Sequence, residues 1–334
     1  MNKKNPHPLS YGITRRALVW SAGLTSLARL PHALAQVAAY PSKTVKIVVP
    51  SSPGGSLDAV SRVIALKLGE LWRQSVVVEN KPGANFAIGA SFVAKSPADG
   101  YTLLYAHDGV MAMNPVLYPK LSYDPLTELT PVGRVVDLPY VMYVSKSLQY
   151  RTLADFLQAM KASPGKFNHA SGGTATMITS ELFKAVTGLQ YTDVPYKGGG
   201  PAVLAVAAGE ADFTFADPGS AAPLLQTDRI RGFATASPNR LRLQPNLPSI
   251  SETVPAFAVT SWSGLHAPAG TPPAIIQKIN ADMRTIMAQQ DVRQRIDALG
   301  IEINPSTPEE LAVQIRNDFQ KWGKLVKDKN IVVP

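Results

Sequence analysis

Cysteine is absent from this 334-residue sequence, and histidine is scarce, with five residues. The lack of cysteine excludes disulfide bonds, thiolate zinc sites and cysteine nucleophiles. Three histidines, His107, His169 and His266, lie beyond the N-terminal segment. They are not spaced as H-x-x-x-H or H-x-H pairs, so we expect no metal site.

Several signatures of catalysis are also missing. The motifs G-x-G-x-x-G and G-x-x-x-x-G-K-[ST] do not occur, so we expect no nucleotide and no other cofactor. The nucleophile elbow G-x-S-x-G is absent as well, which argues against a serine hydrolase. We therefore predict a protein without catalytic residues.

Acidic residues are fewer than basic ones, 24 against 33, and the formal net charge is +9. Five basic residues and no acidic residue lie within residues 1–35, so the rest of the chain carries +4. Its basic residues are scattered rather than grouped in runs with aromatic residues, which argues against a nucleic-acid partner. A mild positive charge favours small anions instead.

The first 35 residues have the layout of an export signal. Two lysines and the pair Arg15–Arg16 precede an apolar run, 17–30, which is followed by the small-x-small site Ala33–Ala35. The run is too short to span a membrane. We predict a twin-arginine-like signal that is cleaved after Ala35, and a periplasmic mature protein.

Short apolar segments typical of strands alternate with helical patterns along the remaining chain. Strands are predicted at 45–49, 76–78, 101–105, 141–144, 167–170, 191–195, 212–216 and 232–236, and helices at 57–71, up to 95, up to 181 and 201–208. Capping boxes at Thr152–Asp155 and Thr307–Glu310 predict two further helix starts. Such alternation predicts βαβ units, a mainly parallel sheet and, at this length, two lobes.

Five loops rich in small and polar residues follow predicted strands. They occupy 51–58, 81–89, 106–109, 170–176 and 196–201. The carboxyl ends of parallel strands are where such folds bind ligands, and helix N-termini there hold anions through free backbone N–H groups. These loops therefore predict a site for a carboxylate or a phosphate that needs no lysine.

Two acidic positions in these loops leave alternatives open. The pair His107–Asp108 is either the acid–base pair of an exported hydrolase or a polar loop end that touches a ligand. Asp58 either contacts a ligand cation or bound water, or is a first-turn acid that the helix dipole favours.

Five motifs in a fixed order carry a resemblance to a known family. They are Pro53-Gly54-Gly55-x-x-Asp58, Glu79–Ala84, Ser96–Leu103, Val194–Gly198 and Ala267–Pro272. From Tyr40 to its end the chain resembles the Bug-type periplasmic solute receptors of tripartite tricarboxylate transporters. The resemblance implies an α/β, type II-like Venus flytrap fold with the ligand cleft between lobes. It implies lobe 1 at 36–142 plus 258–334 and lobe 2 at 143–257.

The resemblance also implies a function without catalysis. A monomer would capture a small mono-, di- or tricarboxylate and deliver it to inner-membrane transporter subunits; alternatively, it would signal through a sensor kinase. The ligand-binding residues implied by position are Ser52, Pro53, Gly54, Gly55, Ser56, Asp58, Asn85, His107, Asp108, Ser171, Gly173, Thr174, Tyr196, Gly198, Gly199 and Asp217.

The sequence departs from the family pattern at several site positions. Ser51 stands where an aromatic residue is frequent, and Met177 stands where many members have histidine. In the second loop, Asn85 and Phe86 replace two glycines, and Ala87 replaces an asparagine. Phe86 either offers an aromatic surface to the ligand or belongs to the core.

Overall fold

The computed structural model describes Met1, residues 40–328 and Ile331. Residues 41–334 form a unit distinct from residues 1–40. The predicted export signal beyond Met1 and its cleavage after Ala35 lie outside the described residues. No helix within residues 40–328 has both the length and the hydropathy that crossing a bilayer requires.

Two β-sheets form the framework. The first has the order β11-β4-β10-β3-β1-β2 and consists of β1 (Val45–Val49), β2 (Val76–Asn80), β3 (Thr102–His107), β4 (Leu129–Pro139), β10 (Thr260–Pro268) and β11 (Glu302–Ile303). The second has the order β7-β6-β8-β5-β9 and consists of β5 (Val141–Ser145), β6 (Asn168–Ser171), β7 (Thr192–Pro195), β8 (Phe213–Ala216) and β9 (Ile230–Thr235).

The prediction of a mainly parallel sheet is wrong, because both sheets are mixed. β1 is parallel to β2 and β3, but β10 is antiparallel to β3 and β4, and β5 is antiparallel to β8 and β9. The sequence did not reveal β4 and β10 as strands. Pro131, Gly133 and Asp137 make β4 resemble a loop, and β10 is buried along nearly its whole length, which removes the alternation of exposed and buried residues.

Most of the helices follow the predicted pattern, but the short helices at 114–117, 218–225 and 290–297 were not predicted. They are α1 (Ser56–Trp72), α2 (Ala87–Ala94), α3 (Asn114–Leu117), α4 (Leu153–Ala162), α5 (Thr174–Thr187), α6 (Gly199–Ala208), α7 (Pro218–Leu225), α8 (Pro273–Met287), α9 (Gln290–Asp297) and α10 (Pro308–Asp328), with a π-turn at Gly109–Met113 and a 3-10 turn at Ile250–Glu252. Helix α5 runs past the predicted end at 181, because its stop signal is Gly188, with a φ of 69°.

Both predicted helix caps are present. The Thr152 hydroxyl accepts a hydrogen bond from the backbone N–H of Asp155 at 3.1 Å. Thr307 and Glu310 bond reciprocally, with the Thr307 N–H donating to Glu310 at 2.9 Å and the Glu310 N–H donating to Thr307 Oγ1 at 3.2 Å. These local contacts fix where α4 and α10 begin.

The chain passes between the sheets twice, at Tyr140 and through residues 236–259. β5 begins at Val141 and pairs with β8 and β9 of the second sheet. The strands therefore favour a first crossing at Tyr140, two residues before the predicted end of the first segment of lobe 1 at 142. The lobe boundaries themselves stay a proposal.

Aromatic packing forms the core beneath the second sheet. The centroid of the Phe156 ring lies 5.4–5.7 Å from the centroids of three other rings, those of Phe167, Phe213 and Phe233. The same cluster includes Met113 of the π-turn. The apolar stripe of α4, formed by Leu153, Phe156, Leu157 and Met160, is buried in this core, and the π-turn packs against the second sheet's layer.

Candidate functional site

A cavity of about 50 Å³ lies between the two sheets, where the loops after β1, β6, β7 and β8 meet. We call it the inner chamber. Of the predicted site residues, eight line it: Ser52, Gly55, Ser56, His107, Gly173, Gly198, Gly199 and Asp217. Eight others are not part of its lining: Asn85 and Tyr196 line a second cavity described below, and Pro53, Gly54, Asp58, Asp108, Ser171 and Thr174 line neither cavity.

Three helices begin at the inner chamber, and each is preceded by glycine. Gly55, Gly173 and Gly198 are the N-cap residues of α1, α5 and α6, and no described side chain caps any of these three N-termini. Gly173 and Gly198 have φ values of 136° and 131°, a region that favours glycine. The N–H groups of three first turns are therefore available to an anion, which the helix dipoles also attract.

Close packing across the chamber also requires glycine. A Cβ atom on Gly172 would lie 2.7 Å from the Gly199 nitrogen, and one on Gly199 would lie 2.6 Å from Ser220 Oγ. A Cβ atom on Gly173 would overlap the Phe86 ring. These glycines therefore allow the loops to approach one another as well as any ligand.

Asp58 anchors the first loop from outside the chamber. Its carboxylate accepts hydrogen bonds from the Gly54 N–H at 3.1 Å and from Arg62 Nε and Nη2 at 3.0 and 2.9 Å. Burial raises the pKa of Asp58, but the bonds from Arg62 and Gly54 outweigh it and hold that pKa below its usual value. Of the two alternatives, this geometry favours a first-turn acid that positions the loop.

Asp217 joins the two sheets' loops. Its carboxylate caps α7 by accepting from the Ser220 N–H and hydroxyl, both at 2.8 Å, and it also accepts from the Ser56 hydroxyl of α1. Burial raises the pKa of Asp217. Ser220, which the sequence reasoning missed, lines the chamber and lies 3.2 Å from Ser56, Oγ to Oγ.

Thr174 and Ser171 hold the fourth loop rather than line the cavity. The Thr174 hydroxyl donates to Asn114 Oδ1, while Asn114 Nδ2 donates to the Asn85 carbonyl at 2.8 Å. The Ser171 hydroxyl donates to Asp193 at 2.7 Å within the second sheet. Asn114 thus connects the second loop, α3 and α5, a role that no sequence motif marks.

His107 and Asp108 do not form an acid–base pair. The Gly109 N–H donates to His107 Nδ1 at 2.9 Å, so the neutral ring carries its proton on Nε2, and burial lowers the His107 pKa to about 4. Asp108 accepts from Ser261 and Gly109, and burial raises its pKa to about 7. His107 Nδ1 and Asp108 Oδ1 are 3.7 Å apart. His107 can therefore donate a hydrogen bond but is not arranged as a general base.

A second cavity, of about 200 Å³, adjoins the first. This outer chamber is lined by Pro50, Pro82, Gly83, Ala84, Asn85, Phe86, Gly173, Pro195, Tyr196 and Lys197. The predicted residues Asn85 and Tyr196 belong here, and Gly173 and Phe86 line both chambers.

Phe86 belongs to an apolar cluster and also lines both chambers, and its contact with a ligand stays a prediction. Its side chain is 6% exposed within an apolar cluster, and its ring meets the His107 ring edge-on at 4.9 Å. The φ angles of Ala84, Asn85 and Phe86 are 46°, 48° and 71°. The second loop thus keeps, without glycine, the left-handed backbone that glycine would adopt most easily.

The crossing between the sheets adds lining residues that sequence reasoning missed. Leu138 and Tyr140 line the inner chamber because β4 ends there. Thr176 on the first turn of α5 also lines it and donates to the Gly173 carbonyl at 3.0 Å. For Thr176, the loop before α5 was a signal in the sequence that this residue could line the site. For Leu138 and Tyr140, the sequence offers no such signal. Met177, at the position of the family's histidine, packs instead against the aromatic core.

Within residues 40–328, no three His, Asp or Glu side chains are grouped closely enough to hold a metal ion. The inner chamber also has no lysine or arginine among its described lining residues. The site therefore offers an anion backbone N–H groups, hydroxyls and the His107 ring.

Comparisons with known proteins agree with this architecture. A family model described as "Tripartite tricarboxylate transporter family receptor" matches residues 60–331. Protein BugT of Bordetella pertussis is 32% identical over 293 residues, which cover 86% of this chain and 90% of BugT.

Two solved structures share the fold. An R. palustris protein solved with adipate is 32% identical with a TM-score of 0.85, and the match covers 88% of this chain and 99% of that one. MatC from Rhodopseudomonas palustris, solved with bound malate, is 30% identical with a TM-score of 0.81 over 86% of this chain and 100% of MatC. The expected two-lobe periplasmic-binding-protein fold is thereby confirmed. The chain belongs to the tripartite tricarboxylate transporter family of periplasmic solute-binding receptors.

Proposed function

We propose that this receptor captures a small organic acid between its lobes and delivers it to membrane transporter subunits. After cleavage behind Ala35, the mature protein would work in the periplasm. One observation carries the proposal: three helix N-termini with glycine caps, at Gly55, Gly173 and Gly198, converge on one buried chamber.

The chemistry of the chamber favours a carboxylate held without a formal counter-charge. The helix N-termini each supply about half a positive charge, and their N–H groups point at the bound oxygens. His107 Nε2 adds a neutral donor. Because most of the lining residues are buried, these dipoles act at a lower effective dielectric constant than that of water and are stronger than in solution.

The relatives support the ligand class. The two similar structures hold adipate and malate, which are both carboxylates. Ser56, Ser220 and Asp217 bond to one another across the cleft. We infer that a bound acid stabilises this closed arrangement by completing the shell of hydrogen bonds between the lobes.

A thermal-shift screen of residues 36–334 tests the proposal. Monocarboxylates, dicarboxylates and tricarboxylates are each added, and calorimetric titration measures the dissociation constant of every hit. An acid at a hundred times its dissociation constant should add about 2.7 kcal/mol to the free energy of unfolding. Unchanged melting curves across all three classes would contradict the proposal.

Delivery to a transporter needs a separate test. Deletion of the gene should abolish uptake of the radiolabelled hit, and the intact gene should restore it. Normal uptake by the deletion strain, combined with a lost transcriptional response to the acid, would instead indicate the sensor-kinase alternative.

A further inference from the structure

The size of the inner chamber limits what it can hold. A cavity needs about 10–15 Å³ for each water molecule. At about 50 Å³, the inner chamber therefore has room for a group of about four non-hydrogen atoms, such as a carboxylate with its adjacent carbon. The remainder of any longer acid must lie in a neighbouring space.

The outer chamber is the neighbouring space. It has a volume of about 200 Å³ and shares Phe86 and Gly173 with the inner chamber. The Phe86 ring packs on Gly173 from one lobe and on His107 from the other side of the cleft. A ligand that occupies both chambers must therefore pass along this ring, which offers an apolar surface to a hydrocarbon spacer.

The outer chamber carries a charge that the inner chamber lacks. Lys197 is the one charged residue among its described lining residues, and it is exposed to solvent. No ion pair joins Lys197 to an acidic residue among residues 40–328, whereas Lys81, the residue before Pro82 of this lining, forms an ion pair with Glu79 at 2.5 Å. The ammonium group of Lys197 is thus free to meet an anion in the outer chamber.

We propose that the outer chamber is a second anion subsite, in which Lys197 binds the far carboxylate of an elongated dicarboxylate while Phe86 packs against its spacer. This inference rests on the proposed function and assigns Lys197 to ligand discrimination. Lys197 distinguishes acids with a charged far end from acids with an apolar one, while the inner chamber binds the carboxylate that both share.

The expected preference is modest because Lys197 is solvated. An exposed ion pair contributes up to about a fivefold change in an equilibrium constant. Partial exclusion of water when the lobes close raises the upper limit to about tenfold. The preference should also shrink as the salt concentration rises, since salt screens exposed charges.

Calorimetric titration of the mature protein with adipate and hexanoate isolates the far carboxylate, because the two acids have equal chain length. We expect adipate to bind more tightly, by a factor between about two and ten. In Lys197→Gln the ratio should fall to about one while hexanoate affinity stays unchanged. Lys166→Gln is the matched control, since this exposed lysine lies outside both chambers and the net charge changes equally.

The outcomes separate the inference from the function on which it rests. Equal affinities for the two acids in the wild type, or an unchanged ratio in Lys197→Gln, would overturn the second subsite and leave acid capture intact. An equal loss of adipate and hexanoate binding in Lys197→Gln would also overturn it. Failure of every carboxylate to bind would remove the proposed function itself.

Discussion

Single residues determine whether the first turns of the helices remain open to an anion. Gly198 has a φ of 131° and precedes α6 directly at the chamber. Gly55 differs, because its φ is −89° and a Cβ atom there would lie 3.6 Å from Ser220 Oγ, an ordinary contact. The structure therefore makes Gly198 the sharper test of binding through the backbone.

Replacing Gly198 by valine should weaken carboxylate binding by tenfold or more. A β-branched residue at this φ costs about 1–3 kcal/mol, and the N–H groups of the first turn would be displaced. Calorimetric titration with the acid identified by the thermal screen measures the effect.

Gly165→Val supplies the control for Gly198→Val. Gly165 also has a positive φ, 76°, but nothing lies within 4 Å of its Cβ position and it lies outside both chambers. The Gly165→Val variant should be less stable than the wild type but should bind the carboxylate with unchanged affinity. A Gly198→Val variant that binds as well as the wild type would argue against the dipole account. Loss of all binding in Lys197→Gln would point to a charge clamp instead.

A second residue, Asp108, makes stability depend on pH. Burial raises its pKa to about 7, above the value of 3.8 expected when it is unfolded. Between these two values the unfolded chain loses the proton while the native carboxyl keeps it, so this group's contribution to stability falls as the pH rises and is constant above about 7.

The substitution Asp108→Asn should remove the loss of stability that the ionisation of Asp108 causes as the pH rises. It retains the oxygen that accepts from Ser261 and Gly109. The free energy of unfolding of the wild type, relative to this variant, should fall by about 2–4 kcal/mol between pH 4 and pH 8. Urea titrations at several pH values measure it, and parallel pH profiles for the two proteins would contradict the assignment.

Among the structural elements, α5 and the segment at Asn114 link the second sheet's layer to the second loop. The Thr174 hydroxyl on the first turn of α5 donates to Asn114, and both residues are buried. Asn114 in turn donates to the Asn85 carbonyl in the second loop. We therefore expect closure of the lobes to depend on how this helix begins.

Thr174→Val should weaken ligand binding about three- to thirtyfold, because Asn114 loses a buried hydrogen-bond partner when the lobes close. Titration with the same acid measures it. Thr179→Val is the control: Thr179 lies on the same helix, is equally buried and donates to the Ala175 carbonyl within that helix. Similar affinity losses in the two variants would show that α5 acts through general stability and not through closure.

The arrangement of the whole molecule predicts a change of shape. Two crossings, at Tyr140 and through 236–259, connect the sheets, and the Ser56 hydroxyl bonds across the cleft to the Asp217 carboxylate and the Ser220 hydroxyl. We expect the lobes to open about these crossings when no ligand is present. The radius of gyration from small-angle X-ray scattering should decrease when a saturating acid is added. A radius that stays constant while the acid demonstrably binds would exclude closure.

The sequence by itself determined features that depend on neighbouring residues. The caps at Thr152 and Thr307, most of the strands and helices (β4, β10 and β11 excepted) and the loop glycines before α1, α5 and α6 all follow from contacts within a few positions. The family motifs also placed most of the loops that surround the chambers.

The tertiary structure alone decided which of those residues face the cavity and which hold the loops. Ser56 and Asp217 are 161 residues apart, and Thr174 and Asn114 are 60 apart, so no local pattern encodes their bonds. The same holds for three further features: the antiparallel strands, the part of the lining that Tyr140 contributes, and the border that Phe86 forms between the two chambers. Each arises where distant segments of the chain come into contact, and their packing determines which side chains can meet a ligand.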